Sequence, residues 1–248
     1  TRIAADGTES IFRPADNRAR IGGAKVDAEA RRLWVCASQV DGVDSRVWVF
    51  DLDSAEQIME FLLGALVSNG TCNDLALDSD GVAYVTDPSN PFLYRLDPDT
   101  QLGEVFASDP LFTGVGLGLN GITLSASGEE LIVARFFPSA LLRVSLSDSA
   151  DIKLIDLNGD TLPPPDGLVE LDGDIYAVGG RTLARVRFDP AITNGTVEVV
   201  ELMPGLSTAT VAEEEVYIIR SDVTNFVIGN PLELPFEIFR ADLSVFTP

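Results

Sequence analysis

Polar residues with oxygen-bearing side chains recur at the start of predicted strands, where they could bind a ligand or take part in catalysis. Asn73 and Asp74 precede the first strand of "CNDLALDSDGVAYVTD", Asn120 opens "LNGITLSASGEELIVAR", and Asp166 precedes the first strand of "PDGLVELDGDIYAVGG". One interpretation is turn chemistry, because Asn and Asp side chains often hydrogen-bond their own backbone. The other is a binding pocket, because convergent polar groups mark such sites. Their repetition at one phase of the sequence favours the pocket.

The residues that are missing limit the chemistry further. The 248 residues include no histidine and two cysteines, Cys36 and Cys72. This excludes Ser-His-Asp and Cys-His catalysis, histidine-ligated zinc and zinc fingers. Any reaction must therefore depend on carboxylates or on a metal held by oxygen ligands. The two cysteines allow one disulfide at most, and two buried free thiols are the alternative that we favour.

The charge of the chain excludes two classes of partner. With 39 acidic and 17 basic residues, the formal net charge is −22, which repels nucleic acid and anionic lipid. The longest apolar stretch, "IMEFLLGALV" (58–67), is interrupted by Glu60 and Gly64 and is shorter than the ~18 residues that a membrane span needs. We therefore expect no nucleic-acid binding and no membrane insertion.

The strands that would position the polar residues belong to a repeat. Asn73 and Asn120 are 47 residues apart, Asn120 and Asp166 are 46 apart, and Asp166 and Thr208 are 42 apart. Each unit contains an alternating strand, a turn rich in Asp, Gly or Ser, a β-branched or aromatic strand, and a third strand ending near Asp. Repeats of about 40–50 residues with this content are typical of β-propeller blades. We place the units at about 1–16 (partial), 17–68, 69–114, 115–160, 161–203 and 204–248.

The sequence predicts an all-β chain with a single six-bladed β-propeller domain. Residues 1–16 match the third and fourth strands of a blade with nothing before them, so the first blade is incomplete in this chain. A five-bladed ring, closed by these N-terminal strands, is the alternative. The segment "SAEQIMEFLLGALV" (54–67) has helical character, and an outer strand followed by a loop is the other interpretation.

The motifs "CNDLALDSDG", "LNGITLSASGEELIVA" and "PDGLVELDGDIYAV" together resemble the senescence marker protein/gluconolactonase superfamily of six-bladed propellers, which includes the paraoxonases. The resemblance implies that Asn73, Asn120 and Asp166 bind a catalytic divalent cation, usually Ca²⁺, in the central tunnel. Asp166 would act as general base or nucleophile. Asp74 would lie beside it as a catalytic residue that orients the substrate or supports the ligands.

The family's fourth ligand, a glutamate in a "P-E-G" or "E-G-P" stretch of the first blade, has no counterpart here. Because the unit that starts at Gly22 aligns with the family's second blade, we expect this ligand to belong to strands before Thr1. The chain begins with Thr and shows no signal peptide, so we expect a mature or trimmed form.

Four further residues could line a substrate pocket. Asp87 and Arg135 end second strands near the predicted tunnel mouth, Phe136 could form an apolar wall, and Arg220 could hold an anion. Each also has a structural interpretation, as an ion pair, a loop contact or packing between blades.

The resemblance implies a Ca²⁺-dependent hydrolase of lactones or related esters, with a small molecule as substrate. The alternative is a non-catalytic propeller that binds a ligand or serves as an interaction scaffold. We expect a monomer, in a secreted or periplasmic location, with the cytoplasm as the other option.

Overall fold

Short antiparallel strands form nearly all the regular structure of the computed structural model, which describes residues 1–4, 6–14, 19–39, 45–221 and 236–246. A two-stranded sheet pairs β1 (Arg2–Ile3) with β2 (Glu9–Ser10). Four larger sheets follow, arranged as a β-propeller. The all-β class and the propeller architecture that the sequence predicts are confirmed.

The first three large sheets have four strands each, in chain order across the sheet. Their strands are β3 (Ala19–Asp27), β4 (Arg32–Gln39), β5 (Ser45–Asp51) and β6 (Gln57–Leu62); β7 (Leu75–Leu77), β8 (Ala83–Thr86), β9 (Phe92–Asp97) and β10 (Leu102–Ser108); and β11 (Leu119–Leu124), β12 (Glu130–Arg135), β13 (Ala140–Ser145) and β14 (Ile152–Leu154). Short 3-10 turns lie at Leu63–Ala65, Pro110–Phe112 and Leu243–Val245.

The fourth large sheet has five strands: β15 (Gly167–Leu171), β16 (Asp174–Phe188), β17 (Gly195–Ala212), β18 (Glu215–Arg220) and β19 (Glu237–Arg240). Its long strand β17 runs from the predicted unit 161–203 into the unit 204–248. It pairs with β16 on both sides of this boundary, at Gly195 and at Leu206, so one hydrogen-bonded ladder joins two repeats. The prediction of six blades is therefore wrong, and so is the five-bladed alternative, because the described residues form four large sheets.

Apolar side chains fill the spaces between successive repeat units. One cluster joins the first and second sheets through Trp34, Leu63 and Tyr94, and a second joins the second and third sheets through Phe112. A third lies between the third and fourth sheets, and a fourth packs the two halves of the fourth sheet around Ile218. Strands whose two faces both meet such clusters are apolar on both sides, which is why β8 and β12 read as nearly continuous hydrophobic runs.

Tight turns close the strands on one side of the molecule. In the "DSDG" turn the Asp78 carboxylate accepts hydrogen bonds from the backbone N–H groups of Asp80 and Val82, both at 3.0 Å. This is the Asx geometry that the sequence predicts. The segment 54–67 is an outer strand, β6, followed by a 3-10 turn, which confirms the strand-and-loop interpretation over a longer helix.

The two cysteines form a disulfide between strand β4 and the residue that precedes Asn73. The Cα atoms of Cys36 and Cys72 lie 5.5 Å apart and both side chains are buried. Our preference for two free thiols is therefore wrong. The bond links neighbouring sheets directly beside the predicted site, an arrangement that the spacing of the cysteines in the sequence does not reveal.

Within the described ranges, no helix has the length and the apolar character that would let it cross a bilayer.

Candidate metal and catalytic site

Five inner strand segments lie side by side around the central channel: β3, β7, β11, β15 and the second half of β17. The polar residues of interest lie at the beginning of three of them. Asn73 and Asp74 precede β7, Asn120 is the second residue of β11, and Asp166 precedes β15. Because these segments run in the same direction along the channel, their first residues meet at one end. We call Asn73, Asp74, Asn120 and Asp166 the carboxylate rim.

Irregular strand pairing accompanies this rim. The register of β11 against β12 shifts between Leu119 and Ile122, where Asn120 and Gly121 lie. The register of β3 against β4 shifts between Ile21 and Ala24. β-Bulges at such positions bend the strand and redirect side chains, and they are common beside functional sites. The bulge in β11 accounts for an asparagine in an otherwise apolar strand.

Thr86 connects two members of the rim. Its hydroxyl donates to the backbone oxygen of Asn120 at 2.7 Å and lies 3.1 Å from the backbone nitrogen of Asp74, which donates to it. Thr86 is fully buried. Since a buried hydroxyl with two backbone partners has a fixed rotamer, it sets the spacing between the second and third inner strands at the rim.

Asp74 is held between its neighbours on both sides. Its Oδ1 accepts from the backbone N–H of Leu75 at 2.9 Å, and it lies against Gly23 of β3, where an added Cβ would overlap the carboxylate. Burial raises the pKa of Asp74 to about 6, opposed by hydrogen bonds from Leu75 and Ile122 and by the charge of Lys25. Asp74 therefore changes its ionisation close to neutral pH.

Asp166 has the most strongly raised pKa in the rim. Its pKa is raised to about 7, mainly by burial and also by the nearby charge of Asp74, while a side-chain hydrogen bond from Asn120 opposes both effects. Gly121 makes this closeness possible, because a Cβ there would lie 2.6 Å from the backbone oxygen of Asp166. The structure thus brings Asp166, Asn120 and Asp74 together, and their roles as metal ligands and catalytic residues remain predictions.

Asn73 joins the rim through its backbone. Its N–H donates to the backbone oxygen of Thr86 at 3.0 Å, and its own oxygen accepts from Gly23 N–H at 2.8 Å. No hydrogen bond in the described part of the chain connects its side-chain amide to Asn120 or Asp166. Its role as a ligand remains a prediction.

The rim offers oxygen atoms that suit a hard cation. Asn120 is 2% exposed, and its Oδ1 is buried without a hydrogen-bond partner, although buried acceptors are usually satisfied. Two carboxyl groups whose raised pKa values reflect burial would also gain from a neighbouring positive charge. Over the described residues, however, no group of three or more Asp, Glu or Cys side chains has an arrangement that could hold a metal. A cation here would depend on amide oxygens as well as carboxylates.

Asp87 follows Thr86 directly, in the loop after β8. It is fully buried, and it accepts hydrogen bonds from Thr71, from the backbone of Ser89 and Asn90, and from Tyr94, whose hydroxyl lies at 2.6 Å. Burial and this carboxylate raise the pKa of Tyr94. These bonds fit the loop-contact interpretation, and they leave the predicted substrate contact without support.

The other predicted pocket residues also make structural contacts. Arg135 donates to the backbone oxygens of Pro138 at 2.9 Å and Leu111 at 3.0 Å, and the Phe136 N–H donates to Gly118 at 2.8 Å. Arg220 donates to Pro204 at 3.1 Å and to Glu237 at 2.9 Å. Each residue anchors a loop, and its contact with a substrate remains a prediction.

Sequence reasoning missed two residues that act on the rim, Thr86 through hydrogen bonds and Lys25 through its charge. Thr86 is hidden in the motif "YVTD", where the neighbouring Asp87 is the more conspicuous residue. Lys25 stands inside an ordinary strand, and its rarity is its one signal, since the chain has only two lysines, Lys25 and Lys153.

The fold is similar to several solved structures at low sequence identity. The major allergen Mala s 1 of Malassezia sympodialis shares 17% identity, over 98% of this chain and 83% of the allergen, with a TM-score of 0.72. A gluconolactonase of Xanthomonas campestris shares 17% identity, over 82% of this chain and 84% of that one, with a TM-score of 0.55. A catalytically inactive histidine-to-alanine variant of virginiamycin B lyase from Staphylococcus aureus, with quinupristin, shares 14% identity, over 95% and 73% of the chains, with a TM-score of 0.59.

No protein-family model matches the sequence, and neither does any curated protein. The structural likenesses show a shared β-propeller fold, which hosts many functions.

Proposed function

We propose that the protein hydrolyses a lactone or a related ester at the carboxylate rim, with Ca²⁺ or another divalent cation as cofactor. One observation carries this proposal. The buried Asn120 Oδ1, which has no hydrogen-bond partner, lies close to Asp74 and Asp166, two carboxyl groups whose pKa values are near neutrality. The likeness to gluconolactonases in fold supports the same reaction class.

The residues that would hold the cation are Asn120, through its free oxygen, and Asp166, with Asn73 and Asp74 beside them. When bound there, Ca²⁺ would polarise the carbonyl of the substrate. Ca²⁺ binds amide and carboxylate oxygens and keeps positions for water, so this donor set is chemically suitable.

Asp166 is suited to the role of general base. A base works best when its pKa lies near the working pH, and the pKa of Asp166 is about 7. Its carboxylate would take a proton from water while the water oxygen bonds to the carbonyl carbon. When the ring C–O bond then breaks, the same proton passes to the departing alkoxide oxygen. The Asn120 amide holds the Asp166 carboxylate in position throughout.

Activity assays with matched variants test the proposal. We expect hydrolysis of members of a panel of aldonolactones and aryl esters in the presence of Ca²⁺, lost in EDTA. Asp166→Asn should lower kcat/KM by at least about 100-fold, the usual contribution of a general base. The rate should fall as the pH is lowered, because the base acts in its ionised form, and the fall should lie below the pKa of about 7 of the metal-free protein because bound Ca²⁺ favours the ionised carboxylate. Asp53→Asn, which alters an exposed ion pair with Arg31, is the control and should leave the activity unchanged.

The second candidate is a non-catalytic propeller. The lack of any acidic cluster of three among the described residues favours it. Binding of Ca²⁺ without turnover of any substrate in the panel, or turnover that Asp166→Asn does not change, would count against hydrolysis at the rim. We do not propose a lyase reaction, since the chain has no histidine to match the residue replaced in the inactive lyase.

A further inference from the structure

A cavity opens between the inner strand segments, farther along them than the carboxylate rim. It has a volume of about 580 Å³ and is lined by all five inner strand segments. Its polar side chains are Lys25, Ser79, Thr123, Ser125, Ser127, Glu170 and Thr210. We call it the lysine cavity. Its volume falls within the roughly 300–1,000 Å³ of ligand pockets, and it leaves no room for a folded protein partner.

The backbone makes this cavity polar. The strands β3, β7, β11 and β15 are each at the edge of a sheet, so one side of each strand has no neighbour in its own ladder. Edge strands present N–H and C=O groups that seek partners. Where these edges surround a cavity, they offer donors and acceptors at many positions. Such a lining suits a ligand with several hydroxyl groups.

Lys25 gives the lysine cavity its charge preference. Among the described residues that line it, Lys25 is the one cationic side chain. It forms no ion pair within the described ranges, although the chain has 39 acidic residues and Glu170 lines the same cavity. Lys153, in contrast, pairs with Asp151 at 3.1 Å. The charge of Lys25 acts on the buried Asp74, but a partly buried ammonium with no carboxylate at ion-pair distance among the described residues still leaves a place for an anion.

We propose that the lysine cavity binds a small polyhydroxylated carboxylate, with the carboxylate on Lys25 and the hydroxyls on the strand edges and the Ser and Thr side chains. One ammonium group matches one carboxylate, whereas a dianionic phosphate would call for more positive charge. The proposal does not depend on hydrolysis at the carboxylate rim. Lys25 also lowers the pKa of Asp74, so the positive charge in this cavity stabilises the ionised form of a carboxyl group in the rim.

The small number of lysines makes a direct test available. Reductive ¹³C-methylation keeps the positive charge of both lysines and gives each its own NMR signal, which the variant Lys25→Met assigns. We expect gluconate, added to metal-free protein, to shift the Lys25 signal saturably and to leave the Lys153 signal in place. Glucitol, the neutral counterpart, should have no effect on either signal. Acetate, a carboxylate without hydroxyls, should bind at least about tenfold more weakly.

Calorimetry with matched variants completes the test. Lys25→Met should abolish gluconate binding, while Lys153→Met should bind gluconate as the unaltered protein does. Three results would overturn the proposal: linear, equal shifts of both lysine signals, equal binding of gluconate and glucitol, or undiminished binding by Lys25→Met. Should Lys25→Met not fold, the two signals can be assigned from Lys153→Met, and the titration of the unaltered protein still decides.

Discussion

The two ends of the central channel are built from the same inner strands but differ in width and charge. At the carboxylate rim, bulges and glycines bring the strands close, and Asp74 and Asp166 have raised pKa values because of burial. At the lysine cavity the strands surround about 580 Å³ and Lys25 has no ion-pair partner in the described residues. Under our two proposals, the two ends of one axis would prefer ligands of opposite charge, and a few side chains would set this difference.

The two ends of the channel also differ in the interactions that stabilise them. The disulfide at Cys72 and the close packing at Gly23 fix the rim, while hydrogen-bonded turns such as the one at Asp78 close strands near the cavity. Four variants separate these contributions, in order of decreasing effect.

The largest effect is expected from loss of the disulfide. Because it links residues separated by 36 positions, the double variant Cys36→Ala/Cys72→Ala should lose about 4 kcal/mol of unfolding free energy. Urea denaturation measures this loss, and a reducing agent should reproduce most of it in the unaltered protein. A loss below about 1 kcal/mol would show that the rim does not depend on this link.

Replacement of Asp166 should stabilise the metal-free protein at high pH. Its pKa of about 7 exceeds the unfolded value, so its stabilising contribution is complete below about pH 4 and is lost as pH rises through about 7. Asp166→Asn avoids this loss and should be more stable by about 4 kcal/mol at pH 8 in EDTA, and nearly equal at pH 4. Thermal or urea unfolding at the two pH values checks this, and a variant less stable at both would contradict it.

Adding a methyl group at Gly23 should lower the free energy of unfolding more than adding one at Gly103. Gly23→Ala forces the added carbon against the Asp74 carboxylate and should cost about 2 kcal/mol. Gly103→Ala is the control, since its added carbon meets the side chains of Leu96 and Leu66, which can move. Equal losses for the two variants in urea denaturation would argue against a tightly packed rim.

The smallest effect tests whether the two ends communicate. Lys25→Met removes a charge that lowers the pKa of Asp74, so that pKa should rise above about 6. Carboxyl ¹³C NMR titration of Asp74 measures it, with Lys153→Met as the control. An unchanged or lower pKa in Lys25→Met would show that the two ends are electrically independent.

The sequence predicts the repeat and the meeting of Asp74, Asn120 and Asp166 because both follow from local features, namely turn residues and strand alternation. The count of sheets depends instead on whether β17 continues past residue 203 and still pairs with β16, which is decided by contacts between residues distant in the chain. The disulfide and the role of Thr86 could not be predicted from the sequence for the same reason, because each depends on a contact between residues that are distant in the chain. Asp87 illustrates a further limit, because a carboxylate after a strand looks alike in sequence whether it holds a loop or a substrate.

Calorimetry of Ca²⁺ binding tests the claim about the carboxylate rim most directly. Binding must drive protons from carboxyl groups with pKa values of about 6 and 7. The heat measured at pH 6.5 should therefore vary with the ionisation enthalpy of the buffer, corresponding to about one proton released per chain. Asp166→Asn should bind more weakly and release fewer protons. Absence of binding, or binding whose proton release is unchanged in Asp166→Asn, would contradict the assignment of this site.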